Sequence, residues 1–194
     1  MKCGQCPPGR GLQTTLSDFC MIMNVRAAIP EDAAAIAGIR VLTWQIAFRG
    51  IIPQPYLDAM DASANEAMWR ASISEEMPRV LVAEAAGKVV GFSCFGCCRD
   101  EGASSSAGEI WALYVLPDDW DKGVGRQLWL ESRRQLVEQG STVISLWVLE
   151  KNLRAIRFYR AAGFAPEASS RKCFEIGGAQ VPEIRYLHSV TSCH

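Results

Sequence analysis

The chain has 194 residues, of which 49% are hydrophobic and 21% charged, and its formal net charge at pH 7 is -1. This length suffices for one well-buried domain, and the near-neutral charge gives no electrostatic basis for binding nucleic acid. No run of eighteen or more apolar residues and no apolar signal-peptide centre is present, so no membrane association is expected and a cytoplasmic protein is predicted.

Two helices are predicted between the first two strands of the fold. Residues 1–22 show no apolar periodicity, so a disordered extension is expected ahead of a single folded domain over residues 23–190. A short strand is predicted over residues 24–29. A proline and two acidic residues then precede a helix over residues 33–48, and a second helix over residues 56–74 follows a break rich in Gly and Pro.

The next segments have the pattern of an antiparallel meander. Residues 79–85 and 88–98 flank an Ala-Gly turn, which predicts a hairpin. A linker of small and polar residues over 99–107 is expected to be a solvent-exposed loop. A buried strand over residues 110–116 follows, and it ends at Pro117 because proline cannot donate a ladder hydrogen bond.

The segment after this central strand has the pattern of an anion site. Gly123 and Gly125 precede an amphipathic helix that ends at Gly140, so both glycines lie at a helix N-terminus. Bare amides there, with the positive end of the helix dipole behind them, favour an anion such as a pyrophosphate. The dinucleotide fingerprint is not met, because Leu128 stands where a third glycine is required, and no Walker A lysine follows Gly125.

The last third of the chain continues the alternation of strands and helices. A strand is predicted over residues 142–149, a helix over 152–162 that Gly163 closes, and a hairpin of 174–176 with 183–190. This order predicts an α/β (α+β) fold, a single mixed and mostly antiparallel sheet of about seven strands with helices on both faces.

Two motifs together resemble the GNAT superfamily of N-acetyltransferases. The glycine loop over residues 120–125 reads W-D-K-G-V-G and is similar to the family's pyrophosphate loop, Q/R-x-x-G-x-G/A, except that Trp120 stands at its first position. The segment from Asn152 to Phe164 is similar to the family signature N-x-x-A-x-x-x-Y-x-x-x-G-F. Locally, Asn152 is expected to cap the helix and Gly163 to end it.

The resemblance implies a GNAT fold whose sheet splays between strands four and five, with acetyl-CoA in the cleft. Backbone groups of Leu113, Tyr114 and Val115 would pair with the pantetheine in the manner of an added strand. The other implied cofactor contacts come from the two motifs: Trp120, Asp121, Lys122, Gly123, Val124, Gly125, Arg126, Asn152 and Tyr159. No metal is implied.

The implied reaction transfers an acetyl group from acetyl-CoA to a primary amine of a small molecule, peptide or protein, by direct attack in a ternary complex. An alkylammonium has a pKa of about 10.4, so a base is useful at neutral pH. Glu109, at the start of the central strand, is the candidate general base, acting directly or through a water chain. Tyr159 is the candidate general acid toward the departing CoA sulfur.

Two alternatives stay open. A non-catalytic GNAT module that binds acyl-CoA as a sensor or partner domain would keep the glycine loop without the acid and the base. A metal-binding protein built around the cysteines is the other alternative, since Cys3/Cys6 and Cys94/Cys97 each have the spacing of half a zinc site. Without an export signal, the eight cysteines are expected to be reduced thiols. The sequence specifies neither the acceptor nor the oligomeric state, for which a homodimer is one option.

Overall fold

The computed structural model describes residues 23–75 and 78–190, and the predicted extension over residues 1–22 lies outside them. The strands are β1 Met23–Ala27, β2 Arg79–Ala85, β3 Lys88–Cys97, β4 Ala107–Val115, β5 Val143–Leu149, β6 Ala165–Pro166, β7 Lys172–Ile176 and β8 Ala179–Ser189. The helices are α1 Ala33–Ala47, α2 Gln54–Asp58, α3 Ser63–Ser74, α4 Val124–Glu138 and α5 Leu153–Ala161.

These strands form one open, mixed sheet of eight strands in the order β1-β2-β3-β4-β5-β8-β6, with β7 paired to β8. All described pairings are antiparallel except that of β4 with β5. This parallel pairing joins only 107–109 to 143–145, and the rest of β4 diverges from β5. The predicted fold class and its splay between the fourth and fifth strands are therefore confirmed, with the two-residue β6 as a strand that the sequence did not indicate.

The helix predicted over residues 56–74 is divided into α2 and α3. The division lies at Asp61, whose carboxylate accepts hydrogen bonds from the Ser63 amide at 2.9 Å and the Ser63 hydroxyl at 2.7 Å. Such local side-chain bonds compete with the helical pattern and start a new helix. Three helices, rather than two, thus connect β1 to β2.

The sheet is covered on both faces by helices. On one face, α4 packs Leu128 and Leu136 onto Phe95 and Ile144 in the largest buried cluster. On the other face, α1 and α3 cover Phe92, whose ring centroid lies 5.3 Å from that of Trp69 and 5.6 Å from that of Tyr114. Burying each such side chain contributes about 1.5–3 kcal/mol of transfer free energy. This packing fixes β4, and with it the wall of the cleft.

Within the described residues, no helix combines the length and the hydropathy needed to cross a membrane.

Candidate active site

A cavity of about 1090 Å³ opens where β4 diverges from β5. Its wall is formed by α1, β4, the loop before α4, β5, α5 and the β7–β8 hairpin. The predicted site residues in this wall are Glu109, Leu113, Tyr114, Val115, Trp120, Asp121, Gly123, Gly125, Arg126, Asn152 and Tyr159. Two predicted residues, Lys122 and Val124, do not line it. The topology therefore brings the two sequence motifs to one cavity.

The exposed edge of β4 offers backbone hydrogen-bonding groups to this cavity. The Leu116 amide donates to the Val90 carbonyl on β3 at 2.8 Å. Since backbone groups alternate sides along a strand, those of Leu113 and Val115 face the divergent edge while those of Tyr114 face β3. The Val115 carbonyl already accepts the Trp120 indole N–H at 2.7 Å. Of the three predicted backbone contacts, those of Leu113 and Val115 lie on this edge, whereas Tyr114 lines the cavity with its side chain. The pairing of all three with the pantetheine stays a prediction.

The glycine loop presents free amides at the N-terminus of α4. Gly123 is the N-cap and has φ +85°, a left-handed conformation that glycine adopts without a Cβ penalty. Within the described part of the chain, the amides of residues 121–126 donate no hydrogen bond. The helix dipole adds positive potential at the same point. The loop thus has the features of an anion site, and the lack of a Cβ at Gly123 leaves space above its amides.

The charged side chains around the loop contact neighbouring residues. Lys122 turns away and pairs with Asp119, with 3.1 Å between its Nζ and the carboxylate Oδ1. Arg154 of α5 takes a place at the loop, where its guanidinium stacks 4.1 Å from the Trp120 ring centroid and donates to Asp121 at 2.9 Å. A cation in the first turn of a helix is unfavourable, because it lies at the positive end of the helix dipole. Arg154 occupies such a position, and this was the feature of the sequence that could have indicated a role for it at the loop.

Val124, the other predicted residue outside the wall, is the first residue of α4 and is buried, with 2% of its surface exposed. Its side chain belongs to the large hydrophobic cluster on that face of the sheet. The residue therefore anchors the start of α4, and only its backbone is available to the loop.

The second motif places Asn152 and Tyr159 on α5. The Asn152 side chain accepts a hydrogen bond from the Ala155 amide at 3.2 Å, which confirms the predicted helix cap. The Tyr159 ring packs against Phe158 and Phe164, and its hydroxyl makes no hydrogen bond within the described residues. Burial, with a smaller effect of the nearby Tyr114, raises the pKa of the Tyr159 hydroxyl above its ordinary value. The phenol therefore carries its proton at neutral pH.

Glu109 is buried, with 2% of its surface exposed. Its carboxylate accepts three hydrogen bonds from Arg99, namely from the backbone amide at 2.8 Å, from Nε at 3.1 Å and from Nη2 at 2.5 Å. The Arg99 guanidinium in turn stacks 4.4 Å from the Trp111 ring centroid. Glu109 would have to lose Arg99 before taking a proton directly from an amine. Its role as general base stays a prediction, and the observed contacts give it the task of holding Arg99.

With this geometry in view, comparison with known proteins identifies the family. The sequence model of the acetyltransferase (GNAT) family matches residues 38–164. The chain belongs to this family. An uncharacterized N-acetyltransferase of Bacillus subtilis, YuaI, is 33% identical over 84% of this chain and 91% of its own length. A probable N-acetyltransferase of Mycobacterium tuberculosis is 28% identical over 84% of this chain and 92% of its own. The chain is thus an acyltransferase.

Solved GNAT structures share the fold. The PaiA N-acetyltransferase of Thermoplasma acidophilum, in complex with coenzyme A, superposes with a TM-score of 0.72 at 19% identity, over 88% of this chain and all of its own. A putative acetyltransferase of Salmonella typhimurium with its cofactor acetyl-CoA, YncA, gives a TM-score of 0.67 at 22% identity, over 89% of this chain and 96% of its own. Both likenesses concern the fold.

The described residues of this GNAT acetyltransferase contain no group of three or more His, Cys, Asp and Glu side chains placed to hold a metal ion. Cys94 is buried and Cys97 is exposed. Burial raises the pKa of the Cys94 thiol to about 12, which disfavours the thiolate that a metal requires. Cys3 and Cys6 lie outside the described residues.

Proposed function

We propose that this GNAT acetyltransferase transfers the acetyl group of acetyl-CoA to a primary amine in a ternary complex. The observation that supports this most is that one cavity joins the free amides at the start of α4, the unpaired edge of β4 and the free Tyr159 hydroxyl. These three features suit the pyrophosphate, the pantetheine and the thioester sulfur respectively. The coenzyme A and acetyl-CoA complexes of the two structural neighbours agree with this assignment.

In the proposed reaction, the amine nitrogen attacks the acetyl carbonyl carbon while the cofactor lies along β4. A C–N bond forms, the C–S bond breaks, and the electron pair of that bond stays on sulfur. Tyr159, protonated at neutral pH, donates its proton to this thiolate. A non-catalytic acyl-CoA-binding module would have no use for a phenol kept free of hydrogen bonds at this place, so the observed Tyr159 favours an enzyme.

The anion site is tested by the thermal stabilisation that acetyl-CoA confers. A ligand present at 100 times its Kd stabilises the folded state by about 2.7 kcal/mol, and a domain of this size gains about 2–4 °C per kcal/mol. We expect a rise in Tm of roughly 5–10 °C for the parent protein. Gly123→Asp should abolish most of the rise, because a carboxylate would stand where the pyrophosphate binds.

Gly140→Asp is the matched control for this experiment. Gly140 ends α4, has φ +90° and, like Gly123, has no atom within 4 Å of an added Cβ, so both substitutions impose the same backbone strain. Gly140 does not line the cavity. Each variant is compared with its own Tm without acetyl-CoA. An equal acetyl-CoA shift in the two variants, or no shift in the parent, would contradict the assignment of the loop.

A further inference from the structure

Glu183 is a half-buried carboxylate in the cavity wall that the proposed reaction has not used. Glu183 of β8 lies opposite Leu149 of β5 on one side and opposite Lys172 of β7 on the other. It lines the cavity together with Tyr114 and Tyr159. In the described residues, Glu183 makes no side-chain hydrogen bond and no ion pair. A half-buried carboxylate that stays unpaired is costly, so its retention in a cavity wall points to a cationic ligand.

The cations near Glu183 are engaged elsewhere. Lys172 lies 4.6 Å from the Trp147 ring centroid, and its Nζ is 3.6 Å from the Asp100 carboxylate. Arg185, two positions along β8, donates to Asp100 at 2.7 Å and to Glu167 at 2.6 Å.

Two further titratable groups near Glu183, the Tyr114 hydroxyl and the Arg40 side chain that acts on it, do not neutralise Glu183 either. Tyr114 of β4 is a neutral phenol whose pKa burial raises further. Arg40 of α1 stacks 5.0 Å from the Trp44 ring centroid. Burial accordingly raises the pKa of Glu183 above its ordinary value of 4.5, which makes its carboxylate a better proton acceptor at neutral pH.

The surroundings of Glu183 are largely aromatic. The side chains of Trp44 from α1, Phe48 just after it, Trp147 from β5 and Phe174 from β7 also line the cavity. The strand register places Trp147 and Phe174 on the sheet face of Glu183, and Trp44 and Phe48 pack on its neighbours Leu149 and Val181. Aromatic rings provide apolar contact area, and their faces attract cations. A ligand that places a cation at Glu183 would therefore rest its carbon skeleton on these rings.

We propose that Glu183 binds the ammonium group of the acceptor and takes its proton, and that the acceptor is a primary amine on an apolar or aromatic skeleton. This inference rests on the proposed acetyl transfer and names its acceptor class and its base. It also provides a base that is free to accept a proton, whereas the carboxylate of Glu109 is paired with Arg99.

The proton balance of the step is as follows. The ammonium passes one proton to the Glu183 carboxylate, which leaves a neutral amine. The nitrogen lone pair forms the C–N bond to the acetyl carbon, and the sulfur departs with the C–S electron pair and receives the Tyr159 proton. The second nitrogen proton restores Tyr159, and Glu183 releases its proton to solvent. The products are the acetamide and the free thiol of CoA.

The first test is independent of any reaction. A carboxyl whose pKa is raised by folding costs stability as the pH rises above its ordinary value of 4.5, because the folded state then binds more protons than the unfolded state. Glu183→Gln should therefore have a higher Tm than the parent at pH 7.5, and the difference should shrink below pH 4.5. A lower Tm of this variant at pH 7.5 would show that a protein cation already pairs with Glu183, and would overturn the proposal.

The second test uses phenethylamine as the probe, with the neutral 2-phenylethanol as its uncharged counterpart. In the presence of acetyl-CoA, the parent should release CoA with phenethylamine, and Glu183→Gln should lower kcat/KM by about 10²- to 10⁴-fold. Glu183→Asp should recover part of the rate. The acid limb of the pH profile, set by Glu183 in the parent, should disappear in Glu183→Gln.

Glu31→Gln is the charge-matched control, since Glu31 is exposed in the turn before α1 and does not line the cavity. Its rate should equal that of the parent. If acetyl-CoA binds and other amines release CoA, but phenethylamine does not, or Glu183→Gln keeps full activity, this inference fails while the proposed function stands. If acetyl-CoA does not stabilise the parent at all, the proposed function itself fails. Equal competition by 2-phenylethanol would also contradict a site for a cation.

Discussion

Replacing Glu109 by Gln tests whether this residue holds Arg99 or takes a proton. The substitution keeps the volume and one acceptor oxygen, but it removes the charge and points an NH₂ group at a guanidinium that can only donate. In the parent, the buried Glu109 accepts three hydrogen bonds from Arg99. The perturbation is therefore confined to this pair.

The expected loss of unfolding free energy follows from the unequal exposure of the Glu109 and Arg99 side chains. Hydrogen bonds to charged groups contribute about 1.5–3 kcal/mol, and breaking a fully buried ion pair costs about 3–5 kcal/mol. The Arg99 side chain is 55% exposed and that of Glu109 only 2%, so water can solvate the arginine when its partner is lost. We expect Glu109→Gln to cost about 2 kcal/mol, or a Tm lower by roughly 4–8 °C.

The reverse substitution, Arg99→Gln, should cost more, because it leaves a buried carboxylate without its cation. The double variant should be more stable than the sum of the two losses predicts. Thermal and urea unfolding of the four proteins measures these quantities. A Glu109→Gln protein as stable as the parent, or an Arg99→Gln protein no less stable than Glu109→Gln, would refute this reasoning.

The same Glu109→Gln protein decides its catalytic role. If Glu109 only holds Arg99, the pH profile of acetyl transfer should lie parallel to that of the parent. If Glu109 is the general base, the rate should fall most at neutral pH and recover partly as the pH rises, because more of the amine is then deprotonated without help.

Three further outcomes are expected. Tyr159→Phe keeps the packed ring and removes the proton, so turnover should fall by about 10²- to 10⁴-fold with unchanged acetyl-CoA affinity; full activity would exclude it as the acid. Asn152→Ala should lose about 1 kcal/mol in urea unfolding, and Asn152→Asp much less, because Asp also caps. Gly91→Ala should lower the free energy of unfolding by roughly 1–3 kcal/mol, because the new Cβ would lie 2.9 Å from the Tyr114 carbonyl oxygen. Its control is Gly38→Ala in α1, where the new Cβ has no atom within 4 Å and the change should be neutral or stabilising.

The sequence alone determined the elements whose signals are local. The apolar run of β4, the proline that ends it, the two glycines and the amphipathic α4 lie within one continuous stretch, and each signal depends on near neighbours in the chain. The cap at Asn152 and the position of Tyr159 were likewise readable from residues a few positions apart. The order of these elements was sufficient to indicate the family fold, and with it the cleft.

Tertiary structure decided which side chains meet inside that cleft. Arg99 reaches Glu109 across a loop, Arg154 reaches Asp121 from another helix, and Glu183 arrives from the last strand. No periodic pattern marks such pairs, since a polar residue at the end of an element has the same local signature whether or not a partner lies opposite. Their meeting depends on strand register and on the divergence of β4 from β5, and these are fixed only when the whole sheet is assembled.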